Sequence, residues 1–171
     1  NNFLMAVYNL RTYFGIAVVD ITTGEFYATQ ISFGNTTKKL TDEIYRYQPS
    51  EILVNSQFQS ILPLQDFREK TGIYISILED EAFDRNSAEK SIKELGGNNP
   101  LQQQELAVCA SGALLHYLKT TQKADLNHIR TITPYQLESF MMIDSSSRRN
   151  LELTETLRER KKRGTLLWVL D

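Results

Sequence analysis

The N-terminal part of the chain holds three short runs rich in β-branched and aromatic side chains, joined by segments too short for a helix. Phe3–Tyr8 is almost wholly apolar. Tyr13–Asp20 carries Ile16, Val18 and Val19, and Glu25–Ile31 alternates two sets of side chains, Phe26, Ala28 and Gln30 against Glu25, Tyr27, Thr29 and Ile31. Such runs favour strands. Thr22-Thr23-Gly24 reads as a tight turn, with Gly24 able to take positive φ. Parallel neighbours would need a long crossover, so the three runs predict an antiparallel meander.

The pattern then changes period. Within 37–48, Leu40, Ile44 and Tyr47 fall on one helical face. Asn35 or Thr36 can cap that helix, and Pro49 stops it. Glu51–Asn55 contains Ile52-Leu53-Val54 and reads as a strand buried on both faces. Phe58–Lys70 predicts a helix broken at Pro63, Ile73–Leu78 a fifth strand, and Asn86–Leu95 a helix ended by Gly96-Gly97. Three antiparallel strands followed by helix, strand, helix, strand is the element order of an RNase H-like α/β fold.

Gly96-Gly97-Asn98-Asn99-Pro100 is the densest group of breakers, and the expected domain boundary lies there. Residues 1–97 form the α/β unit in this reading, and 98–171 begin a helical one. Leu101–Thr120 is apolar almost all round, as in a helix buried between others. Its small residues Ala107, Ala110, Ser111, Gly112 and Ala113 permit close helix approach. Ile129–Asp144 reads as extended. A helix capped by Asp144 or Ser145 runs to about Arg160, Gly164 breaks it, and Thr165 starts another.

The chain has one cysteine, so internal disulfides and CxxC metal sites are excluded. Cys109 lies in an apolar helical run and reads as a buried inert thiol in a reducing, cytoplasmic setting. No signal peptide and no membrane-spanning apolar run is present. The chain opens at Asn1 without methionine, and Asp171 falls inside an apolar helical pattern, so a piece of a longer protein is expected. Net charge is −2, yet 145–171 carry seven Lys/Arg against four acids, a local +3. The front part is therefore acidic and gives no support for nucleic-acid binding.

Chemistry-bearing residues are sparse. A metal-dependent nuclease on this fold needs several carboxylates converging on two cations. Asp20, Glu25, Glu43 and Glu79-Asp80-Glu81 are the candidates, but Asp20 heads a D-I-T-T-G turn that an Asx-type hydrogen bond explains, and the first strand is apolar. His116 and His128 have neither a cysteine partner nor HxxxH spacing, so a structural role is expected of each and no metal site. No GxxxxGK[ST] loop exists, so the chain offers no phosphate cradle for ATP. Arg158, Arg160, Lys161, Lys162 and Arg163 form the one basic cluster and are the candidate DNA-phosphate contacts. The competing reading is a solvated helix end, where cations are favoured.

The tract Arg148-Arg149-Asn150-Leu151-Glu152-Leu153-Thr154-Glu155-Thr156-Leu157, followed by Gly164-Thr165-Leu166-Leu167-Trp168-Val169-Leu170-Asp171, resembles the core segment of the MutS family of DNA mismatch repair proteins. Tyr117-Leu118-Lys119-Thr120-Thr121-Gln122-Lys123 with Leu126-Asn127-His128-Ile129 resembles the family's helix end and loop before that segment. Asp20-Ile21-Thr22-Thr23-Gly24-Glu25-Phe26 is similar to the strand–turn–strand of its connector domain. Phe67-Arg68-Glu69 matches the family's mismatch-reading Phe-x-Glu pattern, but that motif belongs to a preceding domain, and the match is set aside.

The resemblance implies an RNase H-like connector domain (1–97) and the first part of a helical core/lever domain (98–171), neither catalytic. It implies coupling of mismatch recognition to an ATPase located elsewhere, a surface for the partner MutL, and a dimeric, cytoplasmic, nucleoid-associated whole protein that binds mismatched DNA, ATP and Mg²⁺. The alternatives are a stand-alone RNase H-like metal-dependent nuclease and a MutS paralogue acting outside mismatch repair.

Overall fold

A computed structural model describes residues 2–61, 64–101, 103–122, 126–129 and 131–137. Strands β1 (Phe3–Leu10), β2 (Tyr13–Asp20) and β3 (Phe26–Ile31) form the expected antiparallel meander. Helix α1 (Thr36–Tyr47) follows, then β4 (Glu51–Val54), a 3₁₀ turn at Ser56–Ser60, and α2 (Leu64–Thr71). The chain continues through β5 (Tyr74–Ile77), a second 3₁₀ turn at Asp80–Phe83, α3 (Arg85–Gly96), α4 (Glu105–Thr120) and β6 (Ile132–Pro134).

The sheet order is β5-β4-β1-β2-β3-β6. β4 runs parallel to β1 and β5 parallel to β4, whereas β2 is antiparallel to both its neighbours. The first five strands thus have the RNase H-like arrangement. The two central strands are buried on both faces. Met5, Val7, Ile52 and Val54 pack under α1 and α2, and Leu4, Ala6 and Leu53 pack under α3 and α4.

Local chemistry explains the element ends. The Asn35 side chain accepts the Lys38 N–H at 3.1 Å and caps α1. Gln48 takes a left-handed conformation (φ 45°) just before Pro49. Asp84 caps α3 through the Ser87 N–H at 2.9 Å, and Gly97 (φ 78°) closes it.

The boundary expected after Gly97 is not a division in the packing. The breakers make a turn in which Asn99 accepts the Leu101 N–H at 2.9 Å, and Leu101 is buried with the sheet. Helix α4 begins at Glu105, one turn later than expected, and folds back between α3 and β1–β3. Ala107, Val108, Ala110, Leu114, Leu115 and Leu118 share one core with Ala17, Val19 and Ala28. Its all-round apolar character has this cause: one side faces the sheet and another faces α3. Gly112 sets the α3–α4 spacing, because a Cβ there would lie 2.3 Å from the Ala88 Cβ. Of the expected extended stretch 129–144, Ile132–Pro134 adds a short strand parallel to β3, which the sequence reading did not foresee. The helices expected beyond Asp144 lie outside the described residues.

Candidate functional site

The fold raises the question of where its carboxylates stand. Leu4–Val7 at the centre of β1 are 0–2% exposed and apolar, so this strand supplies no acid. Asp20 ends β2 and its Oδ1 accepts the Thr22 N–H at 2.9 Å, while the Gly24 N–H binds the Asp20 carbonyl at 2.7 Å. This is the expected Asx-type turn. Asp20 pairs opposite Phe3, at the start of β1. Asp80, whose Oδ1 accepts the Ser56 hydroxyl at 3.0 Å, follows the C-terminal end of β5, at the opposite end of the sheet. Glu25 accepts the Tyr27 hydroxyl on the surface. Among the described residues no three His, Cys, Asp or Glu side chains are grouped to hold a metal ion. The dispersed carboxylates give the nuclease reading no geometry.

The remaining motifs take structural places. Phe67 is 2% exposed in the core beneath α2, and the Arg68 guanidinium stands 3.9 Å from the Tyr74 ring, so this Phe-x-Glu match presents no aromatic tip. Cys109 is buried, and burial pushes its thiol up to about 11 against the opposing pull of Arg85. That is an inert thiol at neutral pH. His116 is exposed on α4, at the edge of a cleft of ≈ 360 Å³ that Glu94, Leu95 and Ile129 also line.

The most unusual ionisable group is Glu43. It lies on the apolar stripe of α1, next to Leu40 and Ile44, and is buried. Its Oε1 accepts the Tyr135 hydroxyl at 2.8 Å and faces Arg46 Nη1 at 3.3 Å. Burial raises its pKa above the ordinary carboxylate value, opposed by the Tyr135 hydrogen bond and the Arg46 charge. Burial and the Glu43 charge raise the Tyr135 phenol. Arg46 also lies over the Tyr47 ring, and Tyr47 packs edge-on against Phe3. Sequence reading passed over this cluster. An acid at the third position of an apolar helical stripe was the available signal, but its partner lies 92 residues away.

A second feature missed from sequence is the bridge between the ends of β1 and β4. The Asn9 N–H donates to Asn55 Oδ1 at 2.9 Å, and Asn55 Nδ2 donates to the Asn9 carbonyl at 2.8 Å. Asn9 Nδ2 in turn holds the Arg11 carbonyl at 3.0 Å, where Arg11 adopts φ 58°. This fixes the β1–β2 hairpin tip. Leu10 and Tyr13 are exposed at that tip, and Phe33 is 79% exposed in the adjoining loop. Three large apolar side chains at one end of a sheet are a surface suited to contact rather than to chemistry. The basic cluster Arg158, Arg160, Lys161, Lys162 and Arg163 lies outside the described residues, as do Arg148 and Arg149.

Fold and site together define a non-nuclease member of the RNase H-like class: an α/β domain whose polar groups are spent on turns and internal anchoring. Residues 2–130 match the family model described as MutS domain II, and the chain belongs to that family. Over its whole length it is 48% identical to the DNA mismatch repair protein MutS of Ruminiclostridium cellulolyticum. It is 45% identical to that of Acetivibrio thermocellus and 46% identical to that of Lachnoclostridium phytofermentans. The chain spans 20%, 20% and 19% of these relatives, about a fifth of their length. Among solved structures, T. thermophilus RuvC in complex with a Holliday junction substrate matches at a TM-score of 0.45 and 10% identity, over 71% of this chain and 97% of that one. At that distance the likeness carries no functional meaning. No described helix is long and apolar enough to cross a membrane.

Proposed function

We propose that this chain is the connector region of a longer MutS-type mismatch repair protein and does no chemistry of its own. The family match over 2–130 carries this reading. It is supported by an apolar β1 and by carboxylates that stand at opposite ends of the sheet. The domain acts by contact. It lies between a mismatch-reading domain and an ATPase, passes conformational state between them, and presents surface to MutL. Residues beyond 137 lead into the helical core/lever part.

ATP and Mg²⁺ act in the longer protein, because this sequence has no phosphate loop to hold them. Mismatched DNA is bound by the whole protein, in the cytoplasm and as a dimer. The test is MutL binding by the full-length protein after residues 2–137 are exchanged for an unrelated domain of similar size. Loss of binding with DNA affinity retained supports the reading, and unchanged MutL binding overturns it.

A further inference from the structure

After α4 the chain changes sides. Ile129 and Ile132 are buried in the layer of α3 and α4, whereas Leu137 packs against the core beneath α1. Between them the backbone rounds the edge of β3, to which β6 is paired over only three positions, Phe26↔Ile132, Tyr27↔Thr133 and Ala28↔Pro134. Pro134 has no N–H to give that ladder.

We propose that residues 131–137 form a strap that detaches as a unit from an otherwise folded domain, and that Tyr135 is its latch. Tyr135 gathers most of the strap's specific contacts. Its N–H donates to the Ala28 carbonyl at 3.1 Å and its carbonyl accepts the Thr29 hydroxyl at 2.7 Å. Its own hydroxyl donates to Glu43 at 2.8 Å. Its ring stands 6.4 Å from that of Tyr47, and the Arg46 guanidinium lies 5.6 Å from its centroid. Glu43, Arg46 and Tyr47, all on α1, are therefore the ionisable groups with which Tyr135 interacts.

The rest of the strap is lightly held: Thr131, Thr133, Pro134 and Gln136 are exposed. The sheet and both helical layers keep their own contacts without it, whereas opening returns the Glu43–Arg46 pair to water, which offsets part of the loss. The path is also closely bounded. A Cβ on Gly24 would stand 2.2 Å from the His128 carbonyl oxygen, and one on Gly96 would stand 2.7 Å from Thr131 Cγ2. The consequence is mechanical. A displacement of the chain beyond Leu137 meets Tyr135 and α1 before it meets the sheet.

Native-state hydrogen exchange on the 171-residue chain tests this, with the amides of Tyr135 and of Ala17 and Val18 as reporters. Tyr135→Phe removes a bond lost in the detached and in the unfolded state, so it speeds exchange at the strap and in the core alike, by about tenfold. Phe58→Leu trims the far end of the core, beside Phe14, where contacts persist in the detached state. It speeds Ala17 and Val18 and leaves residue 135 unchanged. In the wild type, exchange at residue 135 also shows a smaller urea dependence than exchange in the core, because less surface is exposed. That measurement decides the matter even if Phe58→Leu does not fold. Equal urea slopes, or equal acceleration of strap and core by Phe58→Leu, would show that the strap opens only by global unfolding. No effect of Tyr135→Phe at residue 135 would show that the phenol is not the latch.

Discussion

Replacing Gly112 by alanine sets two known effects of opposite sign against each other. In an isolated helix the change is favourable by about 1 kcal/mol, because alanine loses less backbone entropy than glycine. In this domain the new methyl would stand 2.3 Å from the Ala88 Cβ and 2.6 Å from the Ala88 Cα. Neither atom belongs to a flexible side-chain end, so relief requires α3 and α4 to move apart. Overpacking of that kind costs typically about 1–3 kcal/mol and more where backbone must shift. Separating α3 from α4 also loosens Ala88 and Ile92, both 1% exposed. Packing should outweigh propensity, for a net loss of about 1–2 kcal/mol. For a chain of this size that lowers Tm by roughly 2–8 °C. Urea unfolding followed by circular dichroism measures it, and Ala88→Gly in the same chain should restore part of the loss by vacating the clash. A Gly112→Ala variant more stable than the parent would mean that the helices are not held at this spacing.

Ser111 is fully buried with no partner for its hydroxyl among the described residues, so Ser111→Ala should raise stability by about 1 kcal/mol in the same assay. Glu43 has its folded-state pKa raised above 4.5, so between the two values the folded state holds more protons than the unfolded one. Stability attributable to Glu43 should therefore fall as pH rises through that window. The stability of the parent minus that of Glu43→Gln should grow as pH drops from about 7 toward about 4.5, and a flat or opposite trend would show the Arg46 pair to dominate. Calorimetry of the 171-residue chain with ATP and Mg²⁺ should detect no tight binding, and micromolar affinity would contradict the absence of a phosphate cradle.

The meander was legible because its signals are local: period-two alternation, short connections, and an Asx-type turn spelled out at Asp20–Gly24. The cap of α1 and the end of α3 were legible for the same reason. Where the sequence misled, a local signal was read as a global one. The breakers 96–100 stop a helix, but burial of Leu101 and the small-residue face of α4 return the chain to the same core. β6 was missed because three residues with a proline carry no periodicity, and its pairing depends on an edge of β3 more than a hundred residues upstream. The Glu43–Tyr135 contact and the Asn9–Asn55 bridge are likewise long-range, and nothing in the composition of either residue's neighbourhood names its partner.

The central claim is that this chain works by contact through its α/β unit and not through chemistry or its basic cluster. The most direct measurement is binding of MutL to the full-length protein in two variants, one with residues 2–137 exchanged for an unrelated domain and one with Arg158, Arg160, Lys161, Lys162 and Arg163 changed together to glutamine. Exchange of 2–137 should abolish MutL binding, and the glutamine variant should bind as the parent does. Binding that survives the exchange, or that is lost with the basic cluster alone, would contradict it.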